Sequence, residues 1–456
     1  MIAAEIFRAY DIRGVVDKTL TEDAVRAIGC GLGTLAIEAG APRIAVGRDG
    51  RLSGPKLAQA LGEGIVAAGA EVIDLGMVPT PVTYFAAHYL GCGSCVSVTG
   101  SHNPPEYNGI KMVIAGKTLA GEGIQSLRER IEAGRLASGA GQRSSASVLD
   151  AYLSRIASDV KLARPMRIAI DCGNGVAGIV AGRLFRALGC EVEELYCDVD
   201  GSFPNHHPDP SHPENLKDLI GKLAGGGIEL GLAFDGDGDR LGVVTQDGEV
   251  IFPDRQLMLY AADVLSRNPG AEIIYDVKST RLLAPWIVQH GGRPTIWKTG
   301  HSFIKAKLAE TGALLAGEMS GHTFFKERWY GFDDALYTGA RLLEILSRSG
   351  DGNTVLKSLP NAPSTPELQW HLAEGEPHAL IERLQAARPF PGAERVLTLD
   401  GVRAEYADGF GLARASNTTP VVVLRFEADN AVGLKRIQEE FRTALQPLKP
   451  TAALPF

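Results

Sequence analysis

Hydrophobic positions along the chain fall into three domain-sized stretches with one shared pattern: a short apolar run, a polar turn, an amphipathic helical stretch ending near glycine, and a second apolar run. The first goes from Arg43-Ile44-Ala45-Val46 through Leu57 and Ala70 into Glu71-Val72-Ile73-Asp74-Leu75. The second goes from Arg167-Ile168-Ala169-Ile170-Asp171 to Gly189-Cys190-Glu191-Val192, and the third from Glu272-Ile273-Ile274-Tyr275-Asp276 through Gly291-Gly292 to Thr295-Ile296-Trp297. Each is half of a parallel α/β layer. After Asn361-Ala362-Pro363-Ser364-Thr365-Pro366 the pattern changes to short alternating strands, such as Val396-Leu397-Thr398-Leu399 and Val421-Val422-Val423-Leu424, before a closing helix from about Ala431 to Leu445. The fold expected is α/β: three tandem, similar mixed α/β domains and a smaller C-terminal α+β domain around a central cleft. Breaks in the pattern place the domains at 1–147, 148–249, 250–361 and 362–456.

Composition permits this and excludes several other classes. With 456 residues, 45% of them hydrophobic and 22% charged, the chain can bury several ordinary cores. A net charge of −8 argues against broad attraction to nucleic acid or to an anionic membrane surface, so cations that matter must be clustered locally. No apolar run approaches the roughly 20 residues that span a bilayer, and the N-terminus lacks a basic segment followed by a long apolar one. The cytoplasm is the expected location and a monomer the expected state. Cys30, Cys92, Cys95, Cys172, Cys190 and Cys197 are too few in so long a chain for a disulfide framework. Cys92-Gly93-Ser94-Cys95 spells CxxC, but no second CxxC or nearby histidine pair supports zinc.

Four loops carry the chemistry, one per expected domain. Thr99-Gly100-Ser101-His102-Asn103-Pro104-Pro105-Glu106-Tyr107-Asn108-Gly109-Ile110-Lys111 displays one serine in a glycine- and proline-punctuated loop, suited to carrying a phosphoryl group. Asp235-Gly236-Asp237-Gly238-Asp239-Arg240 places three carboxylates at alternate positions, which can converge on one hard cation because glycine lets the backbone curl tightly. A calcium loop of the EF-hand type would need glycine where Arg240 stands and glutamate where Gln246 stands. In Gly317-Glu318-Met319-Ser320-Gly321-His322, Glu318 and Ser320 can hydrogen-bond neighbouring sugar hydroxyls, with His322 at hand for proton transfer. Arg414, Ser416, Asn417 and Thr418 offer a fork of donors with no acidic residue among them, a cradle for phosphate. His206 and His207, in Phe203-Pro204-Asn205-His206-His207-Pro208-Asp209-Pro210, read as part of a proline-fixed surface loop.

In order and spelling these strings resemble the α-D-phosphohexomutase superfamily, and most nearly its bacterial phosphomannomutase/phosphoglucomutase branch. The resemblance implies reversible phosphoryl transfer between C1 and C6 of mannose and glucose phosphates, through a phosphoserine at Ser101 and a 1,6-bisphosphate. It implies one Mg2+ held by Asp235, Asp237 and Asp239 with a phosphoserine oxygen of Ser101. Arg13, Lys111 and Arg240 would neutralise the transferring group. Tyr10, Lys278 and His301 would join Glu318, Ser320 and the Arg414 loop in binding substrate, and glucose or mannose 1,6-bisphosphate would act as activator. Two rivals are a phosphoglucosamine mutase, in which glutamine more often stands at the Met319 position, and a non-catalytic sugar-phosphate-binding protein. A third is a phosphatase that releases inorganic phosphate.

Overall fold

A computed structural model of the 456-residue chain describes residues 2–387, 389–417 and 419–456. Its first three sheets repeat one topology. In the first, the strand Arg43–Arg48 pairs in parallel with Glu71–Met77 on one side and Ser94–Val98 on the other, and Ser94–Val98 then pairs antiparallel with Tyr107–Ile114. In the second, Arg167–Asp171 lies parallel to Glu191–Leu195 and Leu230–Phe234, and Leu230–Phe234 turns back into antiparallel Leu241–Thr245. In the third, Glu272–Asp276 lies parallel to Arg293–Trp297 and Leu315–Gly317, which turns back into Thr323–Phe325. The first sheet adds Ile12–Val15 at one edge, antiparallel to Tyr107–Ile114, and Arg143–Ser145 at the other. Three runs of the same pattern thus give three copies of the same layer, with first strands at the positions the sequence implied.

The C-terminal sheet is wholly antiparallel, in the order Leu368–His371, Val421–Ala428, Gly409–Ala415, Val402–Tyr406, Arg395–Leu397. It is backed by the helices Glu376–Ala387 and Ala431–Leu445. Asn430 starts the last helix by accepting from the Val432 and Gly433 amides, which would otherwise lack partners. Leu368–His371 alternates between buried and exposed residues, whereas Val421–Ala428 is buried on both faces.

Packing divides the molecule unequally. One apolar core runs without interruption from Ala45 and Cys95 of the first sheet, with Phe85 of the helix Thr80–Tyr89, through Ile170, Leu232 and Phe234 of the second to Ile273, Leu315 and Phe325 of the third. The helix Ala335–Leu346, buried on nearly every side, lies between the second and third sheets. Its cap, Asp334, also accepts from the Tyr152 hydroxyl (2.8 Å) and Trp329 Nε1 (3.1 Å). The C-terminal sheet has its own core around Trp370, Leu424 and Phe441. It meets the third layer through a small apolar contact of Val277 with Phe410 and Leu412, and through Arg403, which donates to the Val277 and Ser279 carbonyls at 2.7 Å each.

Candidate active site

Three of the four informative loops are the same structural object. Each is the turn between a parallel strand of its sheet and the antiparallel strand that follows it, so all three stand at the carboxyl ends of parallel strands, where open α/β sheets bind ligands. The fourth is the hairpin between Gly409–Ala415 and Val421–Ala428.

Ser101 has φ 49°, a left-handed conformation that crowds any side chain, and its amide donates to Thr99 Oγ1 at 2.8 Å. Its Oγ reaches Asp235 Oδ2 at 3.0 Å and lies 3.1 Å from His102 Nδ1. The aspartate loop curls around one of its own oxygens: Asp235 Oδ1 accepts from the amides of Gly238, Asp239 and Arg240 at 3.0, 3.0 and 3.1 Å. Carboxylate oxygens of Asp235, Asp237 and Asp239 lie within 4.8 Å of one another, all three side chains being fully buried. Burial, with Asp237 and Asp239 alongside, holds the Asp235 carboxyl well above the usual range. Asp237 Oδ1 is buried without a hydrogen-bond partner among the described residues. Such a set of hard oxygen donors, partly unsatisfied, fits a divalent cation such as Mg2+. Lys111 supplies positive charge from one side, its Nζ donating to Asp237 Oδ2 at 2.8 Å and also to Asp239. Thr80 Oγ1 fixes Asp237 Oδ2 at 2.6 Å.

The Gly317 to His322 loop closes through Gly321 (φ 103°), whose amide donates to the Glu318 carbonyl at 3.1 Å. Leu241 N donates to the Gly321 carbonyl at 3.2 Å, which ties this loop to the aspartate loop. His322 sits between the two, with Nδ1 at 3.0 Å from Glu318 Oε2 and Nε2 at 3.3 Å from Asp239 Oδ1. Burial works against charge on its ring, but these carboxylates outweigh it and raise the imidazole to about 9. His301 differs: burial and the nearby Lys305 push it well below its ordinary value, leaving a neutral ring whose buried Nε2 has no hydrogen-bond partner among the described residues. Its Nδ1 lies 3.5 Å from Asp333 Oδ2 and 3.3 Å from Lys305 Nζ.

These loops enclose a cleft of about 310 Å³. Tyr10, Arg13, Ser101, Lys111, Arg240 and Lys278 line it, as do His301, Glu318, Ser320, His322, Arg414 and Ser416. Asp235, Asp237 and Asp239 are outside this lining, with Asp235 touching Ser101 from behind. Arg13, Lys111, Arg240, Lys278 and Arg414 therefore converge on one cavity of a chain whose net charge is −8. Arg13 is braced by Asp11 and Asn103, Lys278 by Glu367 at 2.6 Å, and Arg414 by Asp400 at 3.0 Å.

Two expectations change. Asn417 lines a separate cavity with Lys298, Phe303 and His378 instead of the cleft, because the hairpin presents Arg414, Ser416 and Thr419 inward. Thr418 lies outside the described residues. The segment 203–210, read as part of a surface loop, reaches the cleft: His207 and Asp209 line it, as do Ser211 and His212 just after, while His206 turns back onto Asp171 at 3.1 Å. Asp209, though buried, is held well below the usual carboxylate range by His102 and Arg240. The sequence signal was present in this acidic, histidine-bearing turn, but His102 and Arg240, the groups that act most on Asp209, lie far off in the chain. Thr80, Glu367, Lys305 and Asp333 were also missed. The CxxC thiols are inert by position: Cys92 and Cys95 are buried, and Cys92 Sγ donates to the Ser94 carbonyl at 3.3 Å.

Comparison with known proteins agrees with this architecture. Residues 4–138, 150–248 and 252–362 match the α/β/α domains I, II and III of phosphoglucomutase/phosphomannomutase, and residues 367–444 match its C-terminal domain. The chain belongs to the phosphoglucomutase/phosphomannomutase family. A phosphomannomutase/phosphoglucomutase of Pseudomonas aeruginosa is 57% identical over 456 residues, covering 100% of this chain and 98% of that one. A phosphoglucomutase of Neisseria gonorrhoeae is 58% identical over 448 residues, or 98% of this chain and 97% of its own. The crystal structure of a phosphoglucomutase/phosphomannomutase family protein from Burkholderia thailandensis superposes with a TM-score of 0.95 at 59% identity, covering 100% of both chains.

Proposed function

We propose that the protein interconverts the 1- and 6-phosphates of mannose and glucose, with Ser101 as the phosphoryl carrier and a hexose 1,6-bisphosphate as the intermediate. One observation carries the reading: Ser101 Oγ sits on the floor of a cationic cleft, 3.0 Å from an oxygen of a buried carboxylate triad. Asp235, Asp237 and Asp239 would hold Mg2+, which when bound would offset charge on the transferring phosphoryl oxygens. Arg13, Lys111 and Arg240 surround the same point and stabilise the charge spread over those oxygens. As the substrate hydroxyl oxygen bonds to phosphorus, the phosphorus–Oγ bond breaks. The hydroxyl proton leaves to a group in the cleft, and Ser101 Oγ is left beside His102 Nδ1, at 3.1 Å, for its own proton.

Glu318 and Ser320 would hold vicinal hydroxyls of the ring, with His322 beside them between Glu318 and Asp239. Arg414 and Ser416, with Lys278, form the far wall, where the non-reacting phosphate would rest. A second transfer in the opposite sense requires the bisphosphate to present its other end to Ser101. Because the grip falls on a hydroxyl pair and not on C2, both sugars should be accepted. We take the protein to act as a monomer in the cytoplasm on free hexose phosphates, activated by glucose or mannose 1,6-bisphosphate. The net charge of −8 supports small anionic ligands drawn to a local cationic pocket over nucleic acid or anionic membrane as partners.

Phosphorus NMR with Mg2+ and a trace of glucose 1,6-bisphosphate tests this. Mannose 1-phosphate and glucose 1-phosphate should convert comparably to 6-phosphates, glucosamine 1-phosphate weakly, and Ser101→Ala should convert none. Free phosphate as the sole product would mean a phosphatase, and no conversion of any sugar would mean a binding protein.

A further inference from the structure

We infer that Arg51, which does not line the cleft, is a positioning residue for phosphoryl transfer: it shapes the Ser101 loop by gathering the loop's carbonyls onto one guanidinium. Arg51 is 1% exposed. Its NH1 donates to the Pro104 and Tyr107 carbonyls at 2.6 and 2.9 Å, and its NH2 donates to the Ser101 carbonyl at 2.8 Å and to that of Asn103. Four backbone carbonyls of one loop therefore converge on a residue some fifty positions earlier in the chain.

The surroundings leave no room for another arrangement. A side chain on Gly100 would place its Cβ 2.4 Å from Arg51 Nε, so glycine is required beside the reacting serine. The Asp49 carboxylate, itself buried, completes the frame: Oδ2 lies 3.2 Å from Arg51 Nε and accepts from Thr99 Oγ1 and the Gly100 amide at 2.8 and 3.1 Å. The second layer closes the outer face, with the Phe203 ring 5.1 Å from the guanidinium carbon. Ser101 is thus held at both ends of its peptide unit, its amide by Thr99 and its carbonyl by Arg51, in a backbone conformation (φ 49°) that a serine in a free loop would leave. Only a planar fork of donors can serve four carbonyls at once; an ammonium on a flexible stem cannot.

The inference rests on the reading of Ser101 as phosphoryl carrier, and the experiment separates the two. Dephosphorylated wild type, Arg51→Lys, Phe203→Leu and Ser101→Ala are mixed with glucose 1,6-bisphosphate and Mg2+. Gain of one phosphoryl group is followed by intact mass, and affinity for glucose 1-phosphate is measured by calorimetry. Arg51→Lys should take up phosphoryl about 100-fold more slowly than wild type, the scale of loss expected when a reacting atom moves by about 1 Å. Its glucose 1-phosphate affinity, set by the Glu318 and Arg414 loops, should stay within about threefold. Phe203→Leu should slow uptake less, in the same direction. Uptake by Arg51→Lys at the wild-type rate, or a fall in affinity as large as the fall in rate, would overturn the inference. Should Arg51→Lys not fold, unchanged uptake by Phe203→Leu would overturn it. No uptake by wild type would remove the carrier reading itself, and this inference with it.

Discussion

Single residues around the carboxylate triad divide into those that would touch a cation and those that aim them. Asp237 is in the first group, and Asp237→Asn should weaken Mg2+ binding by about 100-fold or more, read from Mg2+ titrations of activity and by calorimetry. Thr80 is in the second, since its hydroxyl donates to Asp237 Oδ2 at 2.6 Å from the first layer. Thr80→Val should weaken Mg2+ binding by about tenfold while leaving the KM for sugar phosphate near wild type. Equal Mg2+ dependence of Thr80→Val and wild type would show that the Asp237 rotamer is held by Lys111 alone.

At the scale of the element, the repeated hairpin turn explains why loops so far apart in sequence meet. A layer with strands at Arg43, Arg167 and Glu272 was legible from apolar runs and glycine spacing, and the loops were legible from their spelling. The direction each turn faces was not, because it depends on whether the strand after the loop runs back antiparallel. That pairing is decided across the sheet and not within the loop. Asn417 shows the limit: in a string of donors it looks equivalent to Ser416, yet it faces a different cavity. Lys111 shows the opposite case, since its partners Asp237 and Asp239 stand 126 and 128 positions away, beyond any local pattern. Arg51 carries no motif chemistry at all, only four carbonyls, the Asp49 carboxylate and the Phe203 ring as partners. The serine and aspartate turns also touch directly: a Cβ on Gly236 would lie 2.4 Å from the Ser101 carbonyl oxygen. Gly236→Ala should cost about 1–3 kcal/mol of stability by overpacking and lower kcat more than it raises KM, checked by thermal melts beside steady-state kinetics.

Across the whole molecule, the third layer is braced by ionic clusters away from the cleft. Asp263 accepts from Arg267 at 2.7 Å, Arg348 at 2.8 Å and Arg341 at 2.9 Å. Burial pushes its carboxyl up, but the three guanidiniums outweigh burial and hold it below its ordinary 3.8. The folded state thus binds this proton less tightly than the unfolded chain. The stability it contributes is complete above about pH 4 and is lost as the pH falls below that. Asp263→Asn should cost about 3 kcal/mol at neutral pH, with the gap to wild type closing in acid, as read from melting temperature against pH. The packing has a further, calorimetric consequence. Three sheets joined by one continuous apolar core should melt together, although the first keeps a second core on its other face, whereas the C-terminal sheet, joined by only a small apolar contact and a mostly polar seam, should melt apart. Differential scanning calorimetry should therefore record two unequal heat-absorption peaks. Hexose bisphosphate, by bridging the Arg414 hairpin to the serine turn, should merge them into one.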